Sequence, residues 1–258
     1  MAPLSIKGQI ALVTGASSGI GAATAAAFAA EGARVILAAR RGERLQELAD
    51  GLKQAHGTES LLITLDVREE AEVMERLGNL AAEWQGVDIL VNNAGLSRGL
   101  NPLHEGSLDD WDEMVDTNVK GLLYVTRAIL PGMVQRGRGH VVNIGSVAGR
   151  DPYAGGAVYC GSKAAVAMIS RAMKIDLLGS GVRVTNVEPG MVETEFSLVR
   201  FHGDADRAKK VYQGIQPLTP EDVADSIIWA VTRPLHVNVQ DILLLATAQA
   251  TATMAHRK

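Results

Sequence analysis

The chain is expected to fold as a single-domain α/β protein, a doubly wound parallel sheet with helices on both faces. Three observations predict it. Short apolar runs alternate with helical periods along all 258 residues, with no long linker, internal repeat or low-complexity run. A glycine-rich turn, from Gly15 to Gly21, stands between the first apolar run and the first helical period. Hydrophobic residues make up 47% of the chain, enough for one full core. Residues 1–258 therefore read as one domain, with a lid at 191–214 and a C-terminal tail at 247–258.

Taken in order, residues 10–14 read as a buried strand that runs into Gly15-Ala16-Ser17-Ser18-Gly19-Ile20-Gly21. An alanine-rich helix follows to Glu31, with Gly32 as its cap, and residues 34–38 form the second strand of a βαβ unit. Residues 42–55 predict an amphipathic helix ended by Gly57, residues 61–65 a third strand, and 68–84 another helix. A fourth strand at 87–91 leads to Asn92-Asn93-Ala94-Gly95. After a loop at 96–106, Ser107 reads as the N-cap of a long helix, 108–133, broken near Asn118. Asparagine is unfavourable inside a helix, so its presence there points to a polar or functional reason.

Residues 137–139 make a turn, and a fifth strand at 141–144 delivers Ser146. The next helix carries Tyr159, with apolar residues at helical spacing from Val158 to Ile175. A sixth strand, 182–187, ends at Glu188-Pro189-Gly190. Residues 193–214 lack a clear period and are long enough for a lid, with the charges of 204–210 read as a solvated surface. A late helix at 218–232 has Thr219 as N-cap and Pro220 at its first position, and residues 242–245 form the last strand.

The glycines have a physical reading. Gly15 allows the tight turn, Gly19 lets backbone approach a pyrophosphate, and Gly21 lets the helix pack close to the strand. The free N–H groups of Ser17, Ser18, Gly19 and Ile20 at the helix start favour an anion. The spacing, T-G-x-x-x-G-x-G, has one residue more between its first two glycines than the usual dinucleotide turn. A carboxylate at the end of the second strand would select NAD. This chain has Ala39, Arg40 and Arg41 instead, and two guanidinium groups suit a 2′-phosphate, so NADP is expected; the alternative is a pair of solvated arginines. Asp66, followed by Val67, reads either as a partner of the adenine amine or as a helix N-cap.

Tyr159 and Lys163 lie four apart and so share a helix face. A cation near a phenol favours the phenolate and lowers its pKa from about 10, which would let Tyr159 exchange a proton with a hydroxyl or carbonyl oxygen that Ser146 also bonds. An ordinary core tyrosine and a solvated lysine are the alternative for this pair alone.

Other classes are disfavoured. A net charge of −4 argues against nucleic acid or an anionic membrane as partner. The one cysteine, Cys160, permits no internal disulfide and reads as a small buried residue. The six histidines are scattered singly, so no metal site is expected. No eighteen-residue apolar run and no signal peptide are evident, which sets a cytoplasmic protein as the expectation.

Thr14-Gly15, Gly19-Ile20-Gly21, Asn92-Asn93-Ala94-Gly95, Asn118, Ser146, Tyr159-x-x-x-Lys163 and Pro189-Gly190 together resemble the short-chain dehydrogenase/reductase family, in order and over essentially the entire chain. The resemblance implies a Rossmann-like fold and four catalytic residues. Tyr159 would be the acid/base, Ser146 would orient the substrate oxygen, and Lys163 would lower the tyrosine pKa and bond the nicotinamide ribose. Asn118 would hold a water relay. It further implies that Asn93, Ala94 and Gly95 support the adenosine side of the cofactor, and that Pro189, Gly190, Val192 and Thr194 support the nicotinamide amide. A narrower resemblance, to the NADP-dependent 3-hydroxy acid (serine) dehydrogenases, rests on 39–41, 151–156, 195–201 and 218–223. It implies a small 3-hydroxy acid substrate of the serine, allo-threonine or 3-hydroxypropionate type. The carboxylate would need a cation, for which Arg150 and Arg200 are the candidates and Arg98 a third. Family members are commonly tetramers, so a homotetramer pairing the helices at 108–133 and 157–178 is expected, with a tail that reaches a neighbouring subunit. A broad carbonyl or ketone reductase is the alternative enzyme, and a non-catalytic NADP sensor the alternative of another class.

Overall fold

The computed structural model describes residues 3–258. Seven strands form one parallel sheet: β1 (Ile10–Thr14), β2 (Arg34–Ala39), β3 (Ser60–Thr64), β4 (Val87–Asn92), β5 (Gly139–Ile144), β6 (Val182–Pro189) and β7 (Asp241–Leu244). Their spatial order is β3-β2-β1-β4-β5-β6-β7. The chain winds outward from β1 in one direction, then returns to lay β4 on its other side. Such a reversal opens a crevice at the carboxyl ends of the strands.

Period-two alternation explains why helices cover both faces. Along β1, Ala11 and Val13 point to one side and Ile10 and Leu12 to the other, and all are buried. The first side packs against α1 (Gly19–Ala30), α2 (Gly42–His56) and α9 (Pro220–Val231) through Phe28, Leu45 and Ile227. The second packs against α3 (Glu70–Gly78), α5 (Leu122–Arg136) and α6 (Ala157–Asp176) through Leu77, Met133 and Met173. Burying each such side chain contributes about 1.5–3 kcal/mol, so the two cores fix the sheet's register. A third, small cluster joins Leu96, Met114, Tyr159 and Cys160, with Trp111 of α4 (Leu108–Val115) packed against it.

Four expectations change in detail. The third helix stops at Gly78, and only a 3₁₀ turn at Ala82–Trp84 continues toward β4; Gly78 and Asn79 are poor helix formers. The long helix is interrupted where Asn118 predicted, by a π-helical turn over Asp116–Gly121 between α4 and α5. The aperiodic stretch contains two short helices, α7 (Phe196–Arg200) and α8 (Ala205–Lys210), the latter capped by Asp204. The tail folds back on its own chain's lid: Arg257 donates to the carbonyls of Gln213 and Val211, and the Lys258 amide to that of Gly214.

Candidate active site

The crevice at the strand ends is a cavity of about 720 Å³. Its walls include every sequence-predicted site residue of the glycine turn, of 39–41, 66–67 and 93–95, and of 189–194, except Gly21 and Glu193. Ser146, Tyr159 and Lys163 line it as well.

At one end lies the glycine turn. Gly15 has φ +65°, a left-handed conformation that side chains resist, and a Cβ on Gly21 would fall 2.3 Å from the Gly15 carbonyl oxygen. The Asn93 amide clamps this turn, donating to the carbonyls of Thr14 (2.9 Å) and Gly15 (3.3 Å). The Thr14 hydroxyl in turn accepts from the Asn93 and Ala94 amides at 3.0 Å. Ser18 spends no side-chain bond on capping α1, so the helix start offers bare amides at the cavity wall. Backbone donors with no Cβ in the way fit a pyrophosphate.

Beside the turn, Arg41 is partly exposed but bonded to protein groups. It donates to Ser18 Oγ at 2.7 Å, to Ser17 Oγ at 3.1 Å and to the Glu195 carboxylate at 2.8 Å. Arg44 reaches the same carboxylate at 2.7 Å. These two guanidinium groups hold Glu195 below the usual carboxylate range. Arg40 is more exposed and stands 3.9 Å from Glu113. Asp66 lines the wall but caps no helix, because α3 begins only at Glu70. Burial pushes its carboxyl up, yet the Arg68 guanidinium and amide outweigh this and hold it low.

At the other end, β5 delivers Ser146 and α6 delivers Tyr159 and Lys163. Ser146 Oγ accepts from the Ala148 amide at 3.1 Å. Lys163 is buried; its Nζ donates to the Ile144 carbonyl at 2.8 Å and lies 6.0 Å from the Tyr159 ring centre. Burial lowers its pKa to about 8. Burial also pushes the Tyr159 phenol up, opposed by the Arg200 guanidinium and by a hydrogen bond with Ser146. Arg200 is thus a second cation beside the Tyr159 ring, 5.3 Å from its centre, in addition to the expected Lys163. The Asn118 side chain pairs with both backbone groups of Leu96 at 2.8 Å and donates to Ser162 Oγ at 3.0 Å. Both amide hydrogens are thereby spent, while Oδ1 keeps one acceptor site. Gly95 keeps Asn118 and Lys163 together: a Cβ there would lie 3.1 Å from Asn118 Oδ1 and 3.3 Å from Lys163 Nζ.

The three candidate arginines separate. Arg150 is not on the cavity wall; its guanidinium is paired with the buried carboxylate of Glu188. Arg98 is likewise spent, on Glu113 at 2.6 Å and the Val199 carbonyl at 2.5 Å. Arg200 lines the cavity. It is wedged among Phe196, Tyr159 and Tyr153 at 5.1, 5.3 and 5.8 Å from the ring centres, and its Nε is buried without a partner.

Sequence reasoning missed Tyr153, Phe196, Tyr212, Glu195 and Gln249. The Tyr212 hydroxyl bridges Ser197 and the Val192 carbonyl, and Gln249 Oε1 accepts from the Met191 amide at 2.9 Å. Aromatic residues in an aperiodic stretch are a usable signal for Phe196 and Tyr212. Gln249 carried none.

Residues 9–203 match the family model described as short chain dehydrogenase. The chain is 50% identical over 252 residues to the NADP-dependent 3-hydroxy acid dehydrogenase YdfG of Escherichia coli, covering 97% of this chain and 100% of that one. It is 40% identical to the NADP-dependent 3-hydroxy acid dehydrogenase of Schizosaccharomyces pombe, over 98% of each chain. Among solved structures, the closed form of a serine dehydrogenase complexed with NADP+ superposes with a TM-score of 0.90 at 49% identity, over 97% of this chain and 100% of that one.

Proposed function

The chain belongs to the short-chain dehydrogenase family, and from that premise we propose that it is an NADP-dependent oxidoreductase acting on the carbinol carbon of small 3-hydroxy acids such as serine, allo-threonine or 3-hydroxypropionate. NADP, when bound, supplies the hydride acceptor, and NADPH the donor in reverse. The amides at Ser17 to Ile20 hold the pyrophosphate, Arg40 and Arg41 the 2′-phosphate, and Asp66 and Val67 the adenine. The residues from Pro189 to Thr194 support the nicotinamide, and Lys163 the adjoining ribose.

Tyr159 Oη takes the hydroxyl proton during oxidation and returns it during reduction. Ser146 bonds the same substrate oxygen and keeps it turned toward Tyr159, so that its O–H meets the phenolate in oxidation and its lone pair meets the phenol in reduction. Asn118 holds a water on the proton path that links Lys163 to solvent. The observation that supports a carboxylic acid substrate is Arg200. It lines the cavity with no carboxylate paired to it among the described residues, whereas Arg98 and Arg150 are paired with Glu113 and Glu188.

Initial rates with NADP, L-serine and 3-hydroxypropionate beside an uncharged alcohol test this reading. A rate that depends on the carboxylate, and is far higher with NADP than NAD, is the expected result. Equal rates for acid and uncharged alcohol would favour the broad carbonyl reductase instead. We also propose a cytoplasmic homotetramer. Leu123 and Val134 on α5, and Met168, Ile175 and Leu178 on and just beyond α6, are exposed apolar residues suited to pairing those helices between subunits. Sedimentation velocity tests it: a monomer at micromolar concentration would refute it.

A further inference from the structure

Hydride transfer needs the nicotinamide held in one place. Pro189 ends β6, and residues 190–194 continue toward the lid outside any strand or helix. Their main chain is tied down group by group. The Gly190 amide donates to the Leu244 carbonyl of β7 at 2.8 Å, the Leu218 amide to the Met191 carbonyl at 2.9 Å, and the Glu193 amide to the Leu218 carbonyl at 3.0 Å. The Tyr212 hydroxyl donates to the Val192 carbonyl at 2.9 Å. The Met191 amide is tied by the C-terminal tail instead: it donates to Gln249 Oε1 at 2.9 Å.

Gln249 is placed for that bond. It is buried, although it belongs to the tail. Its Nε2 donates to the Thr251 carbonyl at 3.0 Å, which leaves Oε1 turned to Met191. Gly190 makes room for it, because a Cβ there would fall 2.2 Å from Gln249 Oε1. The tail around Gln249 is a hairpin: Gln249 forms an antiparallel bridge with Ala255, and the Ala250 and His256 amides donate to the Met254 and Ala248 carbonyls, both at 2.8 Å. Beyond the hairpin, Arg257 and Lys258 hold the carbonyls of Val211, Gln213 and Gly214. The tail thus grips the lid at its first residues and at its last.

We propose that Gln249 is a positioning residue for the nicotinamide: through the Met191 amide it holds the segment 190–194 in its binding shape before the cofactor arrives. This rests on the reading of residues 189–194 as the nicotinamide support, and gives the tail a function within its own subunit. Without that bond the segment would be ordered only on binding, and the ordering would be drawn from the binding free energy. The adenosine half is held by the glycine turn and by residues 39–41, so the loss falls on the nicotinamide half alone.

Binding of NADP and of adenosine 2′,5′-bisphosphate, which lacks the nicotinamide half, is measured by calorimetry. Gln249→Leu, close in volume but without an acceptor, is expected to weaken NADP about 10-fold, the effect of stranding one buried donor, and to leave the bisphosphate unchanged. Gln249→Glu keeps an acceptor oxygen and should recover most of the NADP affinity. Unchanged NADP affinity in Gln249→Leu would overturn the proposal. So would an equal loss for both ligands in a Gln249→Leu protein with native circular dichroism, or Gln249→Glu behaving like Gln249→Leu. Hydrogen exchange in the parent protein tests the underlying reading separately: NADP should slow exchange across 190–194 more than the bisphosphate does, and equal slowing by the two would sink the assignment of this segment to the nicotinamide.

Discussion

At the scale of single residues, the site separates proton handling from cofactor grip. Tyr159 is buried at the end of the cavity remote from the glycine turn, so Tyr159→Phe removes the proton carrier and leaves the turn untouched. Turnover is expected to fall by about 10²–10⁴-fold, with NADP affinity nearly unchanged, as steady-state rates and a fluorescence titration of the cofactor would show. Arg41 is the converse case. Loss of a charge-assisted hydrogen bond costs about 1.5–3 kcal/mol, so Arg41→Ala should weaken NADP binding about 10- to 100-fold and leave NAD almost unaffected. The contrast between Arg150 and Arg200 shows the limit of reading residues from sequence. Both are arginines near signature segments. Only the fold reveals that one neutralises a buried glutamate while the other is left facing the cavity.

At the scale of elements, the lid is the part that sequence periodicity could not resolve. Helices of five and six residues are too short to display a period, so α7 and α8 read as irregular chain, although the length of the stretch marked it as a cover. The break near Asn118 was legible because asparagine is misplaced in a helix, but propensity does not specify a π-turn. The lid is latched where Glu195 meets Arg41 and Arg44. These side chains are more than a third exposed, so each pair contributes only about 0.2–1 kcal/mol after solvent screening. Glu195→Gln should therefore speed limited proteolysis within 196–214 a few-fold at low salt. The difference from the parent protein should vanish at high salt, where the parent's own pairs are screened. Identical cleavage rates at low salt would show that the latch does not hold the lid.

At the scale of the whole molecule, the sheet was legible because each strand is a short apolar run and each crossover a helical period. The order of strands, with its reversal between β1 and β4, is a property of the whole sheet that no one residue announces. What the pattern hides is polar burial inside that sheet. His140 of β5 is fully enclosed, bonded through Nε2 to Thr185 of β6 at 2.8 Å, and burial, aided by the Arg183 and Lys174 cations, pushes its pKa well below 6.5. It stays neutral in the folded chain and takes up a proton when unfolded. Stability should thus be flat with respect to this group above pH 6.5, and fall by about 1.4 kcal/mol per pH unit below it, until the folded value is reached. Thermal melts of the parent and of His140→Gln, from neutral pH to about pH 5, check this; parallel curves would refute it. The small cluster around Tyr159 has another consequence. Of the three tryptophans, Trp84 is enclosed under Arg34 and Trp229 is half in solvent, whereas Trp111 packs in that cluster. A double Trp84→Phe, Trp229→Phe protein would hold one emitter beside the reacting groups. Its emission overlaps the absorption band of reduced nicotinamide, so the intensity of that one emitter, followed over time, would report arrival and departure of the reduced dinucleotide without any added dye.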